Sequence, residues 1–141
     1  MPSATRKMFN NQLLNFTNVM SERFPHIKEL RVAGTGLSTL NKINPKKPLE
    51  MFLQFTYKYR QQILDRDEQG LMTADINGDL KKNDIDDENA NQLIITLRNH
   101  WKELGEDEKE NIWKYFEVLI KLADKYLQEA LEKKERNSKN L

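Results

Sequence analysis

The chain contains no cysteine, and that one absence excludes disulfide frameworks, thiolate metal centres and cysteine nucleophiles together. Five glycines and four prolines in 141 residues are too few to punctuate a many-turned all-β domain or to make a low-complexity chain. No apolar run approaches the roughly 18 to 20 residues that cross a bilayer as a helix, so membrane insertion is not expected. The opening MPSATRKMFNNQ lacks the apolar stretch of a secretory signal, which sets an expectation of a cytosolic or nuclear protein. Histidine is scarce, with only His26 and His100, neither in an HExxH spacing, and there is no GxSxG elbow. Catalytic residues, cofactor sites and metal ligands are therefore not expected, and the chain reads as a non-enzyme.

What remains is a polar chain with enough apolar residues for one core. Charged residues make up 32% and hydrophobic ones 38%, the mean hydropathy is -0.82 and the mass is 16.7 kDa, which suits a single domain. Apolar spacing places that content on helices. Phe9, Leu13, Phe16 and Met20 step by four, three and four, which predicts a helix over 5–23 ending near Phe24-Pro25. Ile27, Leu30, Leu37, Leu40 and Ile43 continue the pattern, with a break expected where Gly34 and Gly36 each cost about 1 kcal/mol relative to Ala. After the turn at Asn44-Pro45 comes a third helix, with Leu49, Phe52, Thr56, Tyr59 and Ile63 on one face.

The period dissolves over residues 65–88, an acid-rich stretch that reads as a long surface loop. A fourth helix follows over 89–104 with Ile94, Leu97, Trp101 and Leu104. Gly105 ends it and is also placed to cap a fifth, whose first turn holds Glu106, Asp107 and Glu108, the sign that the helix macrodipole favours there. The expectation is an all-α compact bundle of four to five helices with the fifth at its centre, a domain over 1–132 and a frayed charged tail over 133–141.

Two features invite a chemical reading. Asp75, Asn77, Asp79 and Asp86 echo the ligand spacing of a calcium loop, but Leu80 stands where the turn requires glycine and Lys82 where an apolar residue belongs. Calcium binding is not expected. Charge is also segregated: residues 1–64 carry +7, residues 65–110 carry -8 and residues 111–141 carry +2. Lys42, Lys46, Lys47, Lys58 and Arg60, interleaved with Tyr57 and Tyr59, are candidates to meet phosphate. The neighbouring acids favour protein contact over nucleic acid. The fifth helix supplies the candidate surface for it, since Trp113, Phe116, Ile120, Leu127 and Leu131 belong to an apolar arc wider than the roughly 100° stripe of an ordinary surface helix.

The segments FNNQLLNFTNVMSERFP, NPKKPLEMFLQFTYKYRQQILDRDE and WKELGEDEKENIWKYFEVLIKLADKY resemble a family of short helical proteins of nucleocytoplasmic large DNA viruses, giant viruses and their algal relatives. The resemblance spans about Phe9 to Tyr126 and consists of packing and capping patterns. It implies a viral structural or interaction protein, a minor virion component or assembly adaptor in the host cytoplasm or the virion, with a viral or host protein or a second copy of itself as partner. Nucleic-acid association through the basic N-terminal half is the alternative function.

Overall fold

A computed structural model describes residues 3–76 and 88–139, with the side chains of 88–92 and 139 excepted. Among the described residues the chain is helical, with six α-helices. The order is α1 Ala4–Arg23, α2 Lys28–Ile43, α3 Lys47–Leu64, α4 Glu68–Thr73, α5 Glu88–His100, a 3-10 turn Trp101–Glu103, and α6 Glu106–Lys139.

Local chemistry accounts for the boundaries. Ser3 caps α1 by accepting from the Arg6 N–H at 3.1 Å, the N-cap role that serine fills well. Pro48 sits in the first turn of α3, where its missing N–H has no partner to lose. At the start of α6 the Glu108 carboxylate reaches back to the Gly105 N–H at 3.1 Å, the glutamate half of a capping box. Gly105 thus closes one element and opens the next, as its position suggests.

Contrary to the sequence expectation, α2 runs unbroken through Gly34 and Gly36. Leu30, Ala33 and Leu37 are buried to 2% exposure or less, and burial on this scale outweighs the propensity cost of two glycines. Gly34 faces α1, where an added Cβ would meet Thr17 Cβ and Oγ1 at 3.4 Å. It marks a close helix crossing. Nor is the acid-rich stretch wholly a loop, because Glu68–Thr73 forms α4, capped by the Asp67 carboxylate accepting from the Gly70 N–H at 3.0 Å. Residues 77–87, with most of the calcium-like spacing and the latter part of the expected loop, lie outside the described residues. The last helix runs to Lys139, through the charged stretch expected to fray. Glu, Lys and Arg there are good helix formers that need no packing partner.

The helices assemble pairwise. Asn10 to Asn41 and Thr17 to Gly34 set α1 against α2 in opposite directions. Thr5 to Glu129 and Asn15 to Tyr115 do the same for α1 and α6. The α2–α5 pair is the most extensive, while α6 lies across α1 and α3 instead of at the centre. One hydrophobic core joins all of them. An aromatic line runs through it: Phe9 against Phe52 at 5.1 Å, Phe16 edge-on to Phe116 at 5.8 Å, and Phe52 stacked on Phe116 at 6.4 Å between ring centres. Asn10, itself buried, donates to Asn41 Oδ1 and to the Pro45 carbonyl, both at 2.8 Å, which fixes the α2–α3 turn to α1.

Candidate interaction surface

The α6 arc divides between core and surface. Ile112, Leu119, Ile120 and Ala123 are buried within the chain. Ile120, expected at an interface, therefore belongs to the core, because α1 and α3 together cover this part of the arc. Trp113 and Phe116 are half-buried and spend their inner faces on the chain's own aromatics: Trp113 meets Trp101 edge-on at 5.1 Å and Phe116 meets Phe16 and Phe52. Leu127 and Leu131 differ, at 44% and 59% exposure. They are spaced i, i+4, so they form one apolar strip on the helix.

The exposure of Leu131 follows from where α1 begins, whereas Leu127, still alongside α1, lies on the outer face of α6. Thr5 Oγ1 donates to Glu129 Oε1 at 2.7 Å, so the first turn of α1 already reaches Glu129. Every side chain from Ala130 to Ser138 is exposed. At about 1.5 Å per residue, the distal end of α6 is a helical rod of roughly 15 Å that no other helix among the described residues covers. One turn before Leu127, Asp124 Oδ2 accepts from Arg60 Nη2 at 2.5 Å. One turn before Arg60 on α3 stands Tyr57, 93% exposed. Two large exposed side chains, one from each helix, therefore stand on the same side of this ion pair.

The five basic candidates do not form one array. Lys42, Lys46 and Lys47 gather at the α2–α3 turn, with Lys42 at a polar groove between α1 and α2 lined by Thr17, Ser21, Arg31, Thr35 and Ser38. Lys58 lies farther along α3, its ammonium 5.7 Å from the Tyr59 ring centre, and Arg60 is held by Asp124.

Two polar networks at the other end of α6 escape a reading by sequence. Arg66, in the left-handed region at φ 54°, is aimed from the α3–α4 turn at α6, where it donates to Glu110 and, at 3.2 Å, to Glu117. The hydrogen bond to Glu110 raises the guanidinium pKa and lowers that of Glu110. Glu68 Oε1 accepts from Lys109 Nζ at 3.1 Å and Trp101 Nε1 at 2.5 Å, which together hold its carboxyl below the usual range. These contacts join α4 and the 3-10 turn to α6. Their spacings of dozens of residues leave no local sequence signal.

Among the described residues no group of three or more acidic or histidine side chains is placed to hold a metal ion, and no helix is long and apolar enough to cross a membrane. No protein-family model, curated protein or solved structure matches the chain.

Proposed function

We propose that this chain is a non-enzymatic interaction protein that associates through the distal half of α6, with a second copy of itself as the first partner. The observation that carries the reading is the exposed Leu127–Leu131 strip on a helix that runs beyond the first turn of α1. Large apolar side chains repeated on one face of an otherwise charged helix suit a helix–helix contact. The strip is also self-complementary. An antiparallel two-fold pairing centred near residue 129 sets Leu127 against Leu131 of the second copy and Asp124 against Lys134 of the second copy. Two-fold closure of this kind is the commonest oligomer geometry. The resemblance to short helical proteins of large DNA viruses supports placing such an adaptor in an infected cell or a virion, and that setting rests on the resemblance alone.

Sedimentation equilibrium tests the association. The expected result is a reversible dimer of the 16.7 kDa chain that becomes monomeric in the Leu127→Glu, Leu131→Glu variant without loss of helix content or melting temperature. A strict monomer at high micromolar concentration overturns self-association.

A further inference from the structure

The polar groove between α1 and α2 has a volume of ≈ 320 Å³. It exists because small residues meet where the two antiparallel helices cross. Arg31, Thr35, Ser38 and Lys42 line it from α2, and Asn18 and Ser21 from α1. The α2 residues step by four, three and four, so they form one stripe of the helix, with a cation at each end and two hydroxyls between. At about 1.5 Å per residue the stripe is roughly 16 Å long.

Its hydrogen-bonding groups are unspent. Thr17 and Thr39 turn their hydroxyls onto the carbonyls of Leu14 and Thr35 in their own helices. Among the described residues the side chains of Asn18, Ser21, Thr35 and Ser38 make no hydrogen bond, and neither Arg31 nor Lys42 pairs with a carboxylate. No carboxylate and no aromatic ring lines the groove. Two further exposed cations extend its ends. Lys28 stands one turn before Arg31, and Lys7 lies on the α1 stripe of Asn18 at the end where Asn10 bonds to Asn41, beside Lys42. The acids of residues 65–110, which favour protein contact when the sequence is read alone, line none of it.

Hydroxyls, a carboxamide and cations without acceptors are the side chains that bond phosphate oxygens. With no ring to stack an unpaired base, the groove has nothing to hold a single strand by its bases. A straight stripe on two packed helices instead matches a duplex, whose backbone presents one charge per about 1.7 Å of axis. We propose that the α1–α2 groove docks on the phosphate backbone of a nucleic-acid duplex without regard to sequence, with Arg31 and Lys42 on phosphates at its two ends and Thr35 and Ser38 between them. This goes beyond the self-association reading and does not rest on it, since the groove and the Leu127–Leu131 strip share no residue.

The test is fluorescence anisotropy of the full chain with labelled DNA and RNA duplexes of about 20 base pairs over about 25 to 200 mM salt. Four phosphate contacts should give a slope of log affinity against log salt of about -3 to -4, alike for unrelated sequences, and the duplex bound more tightly names the source. Arg31→Gln with Lys42→Gln should weaken binding and reduce the slope by about two. Lys121→Gln with Lys125→Gln removes the same charge from exposed positions on α6 and should leave the slope unchanged. Thr35→Glu sets a carboxylate in the middle of the groove at an exposed position and should abolish binding, with circular dichroism confirming that each variant folds. The proposal is overturned if neither duplex binds at the lowest salt, or if the two double variants lose affinity equally. Displacement of the duplex by poly-glutamate as readily as by unlabelled duplex overturns it in favour of an acidic protein surface, and tighter binding of the single strand overturns it as well.

Discussion

Replacing Gly34 by alanine should stabilise the protein, even though Gly34 sits at the closest approach of α1 and α2. A glycine inside a helix is less favourable than alanine by about 1 kcal/mol, in part because it leaves the unfolded chain more conformations to lose. Against that gain stands the new methyl. Its carbon falls 3.4 Å from both Thr17 Cβ and Thr17 Oγ1, which is ordinary contact, so it fits without displacing them. Thr17 is held at 1% exposure with its hydroxyl donating to the Leu14 carbonyl at 2.8 Å, so no rotation toward the methyl is available either. Gly36, half-buried on the same helix, serves as the comparison, since Gly36→Ala carries the same propensity gain. The expected values are about 1 kcal/mol of added stability for Gly36→Ala and about 0.5 to 1 kcal/mol for Gly34→Ala, measured from urea midpoints at constant slope. The difference between the two variants reads the packing at the crossing. A loss of stability in Gly34→Ala, with a gain in Gly36→Ala, would refute the separation assigned to α1 and α2.

Phe116→Ala removes the ring that touches Phe16 and Phe52 and should cost about 3 to 5 kcal/mol in chemical denaturation. A cost below about 1 kcal/mol would mean that the ring does not belong to the core. Asn10→Ala deletes both hydrogen bonds that tie α1 to the α2–α3 turn and should cost about 2 kcal/mol, near the sum of two net hydrogen bonds; a neutral effect would show that they are not formed. Acid titration should reveal Glu68 and Glu110, whose pKa values lie below the ordinary 4.5. A depressed folded pKa contributes stability that is complete above the unfolded value and is lost as pH falls through the folded one. The melting temperature should therefore hold down to about pH 5 and then decline, and Glu68→Gln should shallow that decline; an unchanged profile would remove the Glu68 contacts.

The helices were legible wherever apolar residues kept a period, and their ends wherever a stop was written locally, as at Phe24-Pro25, Asn44-Pro45 and Gly105. Misreadings arose where stability comes from distant partners. In α4, EQGLMT is too short to show a period, and it is held by Asp67 at its start, Arg98 at its end and Trp101 on its side. The glycines of α2 suggest a break only until the burial of Leu30 and Leu37 is known. For the candidate surface, the sequence showed a broad arc on α6 but not its division. Ile120 is core because α1 and α3 pack over it, and Leu131 is surface because α1 begins beside Glu129, facts about packing that neither residue's own neighbourhood carries. The asparagine at 10, in a run of polar residues on α1, likewise gave no sign that it is buried.

The absence of cysteine makes the most direct test of the central claim simple, because one introduced thiol is the only one in the chain. Gln128→Cys places it beside the Leu127–Leu131 strip, and Val32→Cys places an equally accessible one on α2, half-exposed and on a different helix. Treatment with a short bismaleimide at low micromolar protein should convert Gln128→Cys to a covalent dimer and leave Val32→Cys monomeric, with Leu131→Glu abolishing the product in the first variant. Equal cross-linking at both positions, or none at Gln128→Cys, would contradict association through the distal half of α6.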